Sequence, residues 1–329
     1  MTTTTVMTTT TSAPASARSI LTEQAAAAWI DYAERENRIK PKSRETYERA
    51  IRQFMRYCAD NGVDQPKKTD VQAFVLHLID QGRSDSTVNL YICAIRLFFR
   101  WACDMGIYPD AIADRIKGVR SEYADGHKRD ALTSTQAHDL LAQIDRSTLK
   151  GARDYAMLLT MTACGLRDIE VTRADKGDLR RSGDGFVLYV QGKGKTTKSD
   201  FVKVPPQAER AIREYHARRA AEEGRPLAAD APLFAGAGNK NNGGRLTTRS
   251  VSGTAKQHLR GIGLDDPRLT AHSLRHTAVT LALIGNGGDI RAAQQFARQS
   301  KAATTELYAH DLDRAANTCA QLVADMIAG

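Results

Sequence analysis

Four polar clusters in the second half of the chain contain residue types that could together bind and cleave a phosphodiester. In chain order they are Gly165-Leu166-Arg167, Gly192-Lys193-Gly194, Leu269 to His276, and Thr304 to His310. Within the third cluster His272 and Arg275 are three residues apart, so on a helix they share one face. If the clusters converge, they form a cationic pocket beside the phenol of Tyr308. A tyrosine needs such a pocket to attack a DNA phosphate.

The two arginine clusters also have plainer explanations when each is taken alone. Arg167 follows an apolar helical pattern and Glu170 lies three residues further on, so a simple ion pair is one interpretation. Thr270 is a good N-cap, and the N–H groups at a helix start favour a phosphate near His272. The apolar residues after Arg275 fit a buried helix equally well, in which His272 is only a core histidine.

Taken alone, the lysine and tyrosine clusters are even weaker evidence for a functional site. Lys193 lies in a turn rich in Gly and Lys, where a solvated lysine is the simpler interpretation. The segment Gly194-Lys195-Thr196 matches the end of a phosphate-binding P-loop, but Tyr189 stands where that motif needs its first glycine. Tyr308 alone fits ordinary packing. The functional interpretation therefore depends on the order and spacing of all four clusters.

The first third of the chain has the pattern of a helical bundle. Apolar residues recur with the helical period from about residue 20 to residue 118. The predicted N-caps are Thr22, Ser43, Thr69, and Ser84 or Ser86. The second helix has a basic face with Arg49, Arg52 and Arg56, and Arg44 lies in its first turn. That face is either simply solvated or a contact surface for DNA.

The rest of the chain predicts helices around a small antiparallel sheet. Strands are predicted over residues 186–190 and 201–204, on either side of the lysine turn. Helices are predicted over residues 135–145, 151–163, 206–222, 248–261, 272–284, 289–297 and 312–327. The predicted fold is mainly α with a small antiparallel β-sheet. Its parts are a disordered tail (1–18), a helical domain (19–118), a linker (119–130) and a mixed α+β domain ending in an interaction helix (131–329).

The composition narrows the class of protein. A net charge of +9 suits a polyanionic partner, and a hydrophobic content of 42% fits a globular chain. The chain contains no run of 18 apolar residues, so no membrane span is expected. The five cysteines are scattered along the chain and include no Cys-x-x-Cys pair. We therefore expect their thiols to be reduced, as in a cytoplasm, and we expect no metal site.

Taken together, the clusters resemble the signature of the tyrosine recombinase (phage integrase) family. The segments that carry the resemblance are Ala163 to Glu170, Gly192 to Lys195, Leu269 to Thr277, and Thr304 to His310. The helical domain, with Tyr47 and Phe98-Phe99-Arg100-Trp101, is similar to the family's SAM-like core-binding domain. The resemblance implies a core-binding domain followed by a catalytic domain, as in the simple Xer- or Cre-like members.

One position departs from the family's pattern. A Leu-Gly-His or similar segment is usual, with the histidine nine residues before the tyrosine. Here the segment is Ala297-Arg298-Gln299. Gln299 can donate a hydrogen bond to a phosphate oxygen, but it cannot carry a charge.

The resemblance implies that Tyr308 attacks a scissile DNA phosphate and forms a 3′-phosphotyrosyl intermediate. The implied catalytic residues are Arg167, Lys193, His272, Arg275, Gln299 and Tyr308, with Glu170 in support. DNA contacts are expected from Arg44, Arg49, Arg52 and Lys195. No metal or other cofactor is implied.

The implied partner is double-stranded DNA with an inverted-repeat recombination site, on which four protomers assemble. A bacterial cytoplasm, with the protein on nucleoid, phage or mobile-element DNA, is the expected location. Two other functions stay open: a type IB topoisomerase, which shares this chemistry, and a DNA-binding module with impaired catalysis. The amphipathic C-terminal stretch fits docking on a neighbouring protomer or on its own domain.

Overall fold

The computed structural model describes residues 20–119, 131–192, 194–237, 242–299 and 327. The chain forms two compact units, Met1–Ala124 and Asp125–Gly329. Helices α1 to α4 of the first unit are Glu23–Arg35, Arg44–Asp60, Lys68–Asp80 and Asp85–Asp104. Helices α5 to α11 of the second are Ser134–Ala142, Leu149–Cys164, Asp168–Arg173, Pro206–Glu223, Thr248–Gly261, Ala271–Gly285 and Ile290–Ala297. Strands β1 to β3 are Leu179–Ser182, Gly185–Val190 and Asp200–Val204. The mainly α fold with a small antiparallel sheet is confirmed.

Some of the predicted segments fall where the structure gives no description. The tail (1–18) and all but one residue of the linker (119–130) lie outside the described residues. The helix predicted over 312–327 does so as well, apart from its last residue. The domain limits drawn from the sequence stay predictions.

Aromatic side chains hold the first unit together at its centre. Trp29 of α1 meets Phe98 of α4 edge to face, with ring centroids 5.7 Å apart. Phe54 of α2 meets Phe74 of α3 in the same way at 5.3 Å. All four rings are buried, and each such pair adds about 0.5–1.5 kcal/mol beyond the burial of its area. One core therefore joins the four helices.

Two of the predicted helix starts in this unit are confirmed. The hydroxyl of Thr22 accepts from the Ala25 N–H at 3.1 Å, and the hydroxyl of Ser84 accepts from the Thr87 N–H at 3.4 Å. Each hydroxyl thus accepts from an N–H in the first turn of its helix, and the Thr87 N–H also donates to the Ser84 carbonyl at 2.8 Å.

Ser43 occupies the predicted N-cap position of α2 but does not cap it through its side chain, and the predicted cap at Thr69 is wrong. Ser43 ends a short 3₁₀ turn, Pro41–Ser43, that continues directly into α2, and its side chain makes no capping bond. Helix α3 begins before Thr69, because the carboxylate of Asp70 reaches back to accept from the Lys67 N–H at 2.6 Å. A carboxylate in the first turn can replace a hydroxyl at the cap.

In the second unit, the sheet has the antiparallel order β1–β2–β3. Strands β2 and β3 pair from Phe186↔Val204 to Val190↔Asp200, which confirms both predicted strands. Strand β1 was not predicted because its four residues, Leu-Arg-Arg-Ser, are mostly exposed and lack apolar alternation. Strand β1 forms because it pairs with β2 across a two-residue turn, and its own sequence does not predict this pairing.

A left-handed glycine at the end of α6 positions the first arginine cluster. Gly165 has φ +59°, and a Cβ there would lie 3.1 Å from Cε1 of Phe296. Both the dihedral angle and the close approach favour glycine. The chain reverses here into α7, a helix of six residues that is too short to show a helical period in the sequence. Arg167 occupies the N-cap of that helix.

The described cysteines are free thiols, and two of them are buried. Burial raises the pKa of Cys58 and of Cys164 to about 12, so both are protonated and unreactive at neutral pH. Across the described ranges, no helix has the length and apolar character to cross a membrane. Within the same ranges, no three ligating side chains cluster closely enough to hold a metal ion.

Candidate active site

Arg167 is tied to a buried carboxylate at the reversal between α6 and α7. Its Nη1 donates to Glu170 Oε1 at 2.9 Å, and its backbone N–H donates to Oε2 at 2.9 Å. Glu170 is 1% exposed, whereas the Arg167 side chain is 27% exposed. A buried carboxylate requires such donors, since burial of an unpaired charge is expensive. The guanidinium therefore has a fixed base and a partly accessible edge.

Arg275 lies on α10 with its guanidinium inside the second unit. It is 2% exposed and donates through Nη1 to the Gly165 carbonyl and through Nη2 to the Ala297 carbonyl. These bonds join the end of α6 to the end of α11. Carbonyl oxygens have no net charge, so they orient the guanidinium without neutralising it. The charge of Arg275 also acts on Glu170, whose pKa it helps to lower.

His272 is exposed in the first turn of α10, three residues before Arg275. Its ring meets that of His276 at a centroid distance of 4.8 Å and an interplanar angle of 76°. His276 is the buried histidine of this helix, so the interpretation of His272 as a core residue is wrong. Thr270 caps the helix as predicted, accepting from the His272 N–H at 3.3 Å. His272 thus lies at a helix start, where the N–H groups favour anions.

Arg298, which the sequence interpretation did not select, also belongs to the site. It ends α11 in a left-handed conformation, with φ +51°, and its side chain is 10% exposed. Its Nη2 donates to Glu170 Oε2 at 2.8 Å and to the Gly165 carbonyl at 3.4 Å. The sequence feature that could have identified this residue is an arginine at a position where the family usually has a glycine. Gln299 follows, with its backbone N–H bonded to the Gln294 carbonyl at 3.1 Å.

Glu170 is the anion around which these cations gather. Its burial favours the neutral acid, but Arg298, Arg167 and Arg275 together lower the pKa of Glu170 below its ordinary value. The carboxylate is therefore ionised at neutral pH. Three guanidinium groups and one carboxylate form this network, which leaves it with a surplus of positive charge. Such a surplus at a partly open site suits a phosphate.

The lysine turn begins beside the same carboxylate. A Cβ placed on Gly192 would lie 3.8 Å from Glu170 Oε1. Arg173 Nη1 donates to the Gly192 carbonyl at 3.1 Å, which fixes the near end of the turn. Lys193 itself lies outside the described residues. Lys195 is half exposed and pairs with Asp200 at 3.5 Å.

Lys198 holds the far end of the lysine turn. Its ammonium group donates to Asp175 at 2.5 Å and to Asp178, which is buried. Partial burial lowers the pKa of Lys198, but the two carboxylates outweigh it and raise that pKa above the ordinary value. Arg245 donates to the other oxygen of Asp175. The turn is thus anchored on both sides of Lys193.

The three arginines expected to contact DNA lie on the surface of the first unit. Arg44 pairs with three carboxylates, of Asp31, Glu34 and Glu48. Arg49 pairs with Glu45 at 3.2 Å, and Arg52 pairs with Glu23 at 3.1 Å. Solvent screens such surface pairs, so they do not exclude a contact with a phosphate.

The structure therefore brings Arg167, Arg275 and Glu170 into one network and places Gly192 beside it. His272 lies on the same helix as Arg275. Tyr308, the expected nucleophile, lies outside the described residues.

Comparison with known protein families matches most of the chain. The sequence profile of the phage integrase family matches residues 130–314, more than half of the chain. The profile of the phage integrase N-terminal SAM-like domain matches residues 27–107. The two profiles fall on the second and first compact units, respectively.

Individual relatives give the same result. The chain is 32% identical to the tyrosine recombinase XerC of Methylobacterium nodulans, over 87% of each chain. It is 28% identical to a tyrosine recombinase of Synechococcus elongatus, over 83% of this chain and 86% of that one.

Solved structures share the fold at lower identity. XerH site-specific recombinase in a post-cleavage complex with a palindromic difH substrate has a TM-score of 0.69 and 19% identity, over 88% of this chain and 84% of that one. A lambda integrase dimer bound to a COC′ core site has a TM-score of 0.62 and 18% identity, over 84% of this chain and 96% of that one.

Proposed function

Since the chain belongs to the phage integrase family, and is a tyrosine recombinase that cleaves and rejoins DNA, we propose that Tyr308 is its nucleophile. The phenolic oxygen forms a bond to the scissile phosphorus, and the bond from phosphorus to the 5′-oxygen breaks. The products are a 3′-phosphotyrosyl link and a free 5′-hydroxyl. Attack by a 5′-hydroxyl on this link reverses the step and rejoins a strand.

The observation that carries the proposal is the shared network of Arg167 and Arg275. Both guanidinium groups are fixed around the Gly165 reversal, one through Glu170 and one through the Gly165 carbonyl. The transition state gathers negative charge on the non-bridging oxygens, which planar guanidinium forks match better than an ammonium group. The loss of one such preorganised donor typically lowers the rate on the order of 10²–10³.

We assign proton transfer to His272 and Lys193. His272, at the start of α10, assists the loss of the phenolic proton or donates to the phosphate. Lys193, on its anchored turn, donates a proton to the leaving 5′-oxygen, with Lys195 as the alternative donor. Gln299 supplies a neutral hydrogen bond to a phosphate oxygen.

The chemistry of the proposal is self-contained. The phosphotyrosyl link keeps the free energy of the phosphodiester, so rejoining needs no nucleotide cofactor. The pKa of a free phenol is about 10, and the surrounding cations favour its phenolate.

The partner is duplex DNA with an inverted-repeat recombination site, bound by protomers that assemble as a tetramer in the synapse. XerH, which shares the fold, is described on a palindromic difH substrate, and lambda integrase is described as a dimer on a COC′ core site. The surplus of basic residues supports the same partner. We place the enzyme in the cytoplasm, on bacterial, phage or mobile-element DNA.

A nicked suicide substrate tests the proposal, because the nicked fragment diffuses away after cleavage and leaves the protein–DNA adduct trapped. Wild type should form a covalent adduct, and Tyr308→Phe should form none. Tyr189→Phe, on β2, is the matched control and should behave as wild type. Absence of an adduct with wild type, or its persistence in Tyr308→Phe, contradicts the proposal. Relaxation of supercoils without paired sites would favour the topoisomerase alternative.

A further inference from the structure

Arg298 occupies a backbone position that is unfavourable for its residue type. Its φ of +51° and ψ of +47° are left-handed. Among the described residues, the other non-glycine with positive φ is Asn37, a type that tolerates this region. A glycine at residue 298 would adopt the conformation without steric strain. The contacts of the arginine side chain must therefore offset the strain.

One side-chain contact, from Nη1 to the Phe296 carbonyl at 3.3 Å, stays within α11, and the others go to the elements that surround Arg167. Nη2 of Arg298 donates to Glu170 Oε2, and more weakly to the Gly165 carbonyl. Glu170 Oε1 accepts from the Arg167 side chain. One buried carboxylate is thus shared by two guanidinium groups from distant parts of the chain. Among the described residues, the buried Nε of Arg298 has no acceptor, which adds to the cost of placing the arginine here.

The sharing changes the charge that faces a substrate. A carboxylate held by Arg167 alone would largely neutralise it, whereas one shared with Arg298 leaves a net positive charge. Arg298 also ends α11, ten residues before Tyr308. The ion pair therefore fixes the point from which the chain continues towards the proposed nucleophile.

We propose that Arg298 is a positioning residue for DNA cleavage, which acts through Glu170 to orient Arg167, to leave its positive charge only partly balanced, and to hold the end of α11 against the Gly165 reversal. This inference rests on the proposed function of the site. Within the part of the chain that the structure describes, the groups that face Glu170 are Arg167 from the reversal, Arg275 from α10, Arg298 from α11 and the Gly192 backbone.

The test uses the full chain, the nicked suicide substrate and single-turnover conditions at saturating DNA. Arg298→Gly should slow adduct formation by at least about tenfold, while its affinity for DNA changes by less than about threefold. Arg298→Lys should recover part of the loss, because an ammonium can still pair with Glu170. Arg291→Ala, which removes an exposed arginine of the same helix, is the matched control and should keep the wild-type rate.

Two further readouts separate positioning from simple structural support. The pKa of Glu170 should rise when Arg298 is removed, so the acid limb of the rate profile should move to higher pH in Arg298→Gly. In addition, the effects of Arg298→Gly and Glu170→Gln should not be additive. A purely structural role would leave the acid limb unmoved.

Each outcome decides the inference. If wild type forms an adduct and Arg298→Gly matches it in rate at every pH, the inference is overturned while the proposed function stands. If wild type forms no adduct, the proposed function falls and this inference falls with it. If Arg298→Gly does not fold, Arg298→Asn supplies a second neutral side chain that tolerates positive φ, and the same expectations apply to it.

Discussion

Arg275 has a fixed orientation, because its two terminal nitrogens bond to carbonyls from two different helix ends. Arg275→Lys keeps the charge but cannot bridge both carbonyls, since an ammonium lacks the planar fork. We expect adduct formation to fall on the order of 10²–10³. The free energy of unfolding should fall by about 1–3 kcal/mol, because a buried carbonyl loses its donor.

Arg260→Lys is the matched control for this substitution. Arg260 is 59% exposed and pairs with Asp265 on the surface. We expect a change in unfolding free energy within about 0.5 kcal/mol and an unchanged rate of adduct formation. Equal rates for Arg275→Lys and Arg260→Lys would show that the fork geometry of Arg275 has no part in cleavage.

Glu170 makes stability depend on pH at the acid end. Its native pKa lies below the value of about 4.3 for an unperturbed glutamate. A lowered native pKa gives stability that is complete above the unfolded value and is lost as the pH falls through the native value. The unfolding free energy of wild type should therefore fall more steeply than that of Glu170→Gln as the pH drops below about 4.3.

Denaturant titrations at several pH values measure this difference. Glu45→Gln, which removes a carboxylate that is 86% exposed, controls for the loss of an acidic group. Parallel pH profiles for wild type and Glu170→Gln would mean that Glu170 is not held ionised by the guanidinium groups around it.

At the scale of elements, the β2–β3 turn depends on two anchors, Arg173 at its start and Lys198 at its end. Lys198→Ala releases the end from Asp178, so the proposed acid Lys193 should lose its position. We expect slower cleavage of an ordinary phosphodiester. The loss should disappear when sulfur replaces the leaving 5′-oxygen, because a thiolate leaves without a proton.

Two control variants are measured with the same two substrates, the ordinary phosphodiester and its sulfur analogue. Lys203→Ala, which removes an exposed lysine of β3, should cleave both substrates at the wild-type rate. Arg275→Lys should stay slow on both, since its defect is not in protonation. A Lys198→Ala enzyme that is equally slow with the sulfur substrate would exclude a role for the turn in leaving-group protonation.

Elements with a long periodic pattern were predictable from the sequence, and short or irregular ones were not. Helix α4 and strand β2 have the apolar spacing that their burial requires. Helix α7 has six residues and β1 has four, so neither contains enough repeats to reveal a period. The wrong cap at Thr69 and the missing side-chain bond at Ser43 reflect competition from a neighbouring carboxylate and a neighbouring turn, which local propensity does not include.

The candidate site was predictable for a different reason. Arg167, Arg275 and Glu170 stand in segments whose order resembles a known family. Arg298 could not be found in this way, because its importance comes from a tertiary contact with Glu170, 128 residues away in the chain. Only the fold shows that a strained arginine reaches that carboxylate.

For the whole molecule, the net charge of +9 predicts salt-dependent binding to DNA. Affinity should fall steeply between low and moderate salt, with a slope of about −0.9 for each phosphate neutralised. The double variant Arg49→Gln and Arg52→Gln should reduce the magnitude of that slope by about two, because two exposed cations are lost. Arg225→Gln, in the second unit, should leave the slope unchanged. An unaltered slope in the double variant would remove α2 from the DNA-contacting surface.

The attachment point of DNA in the trapped adduct tests the central claim most directly. After digestion of the adduct with a protease and a nuclease, mass spectrometry identifies the modified peptide and the linked nucleotide. We predict a nucleotide joined through its 3′-phosphate to Tyr308, with the released strand ending in a 5′-hydroxyl. Attachment to any other residue, or through a 5′-phosphate, would contradict the account.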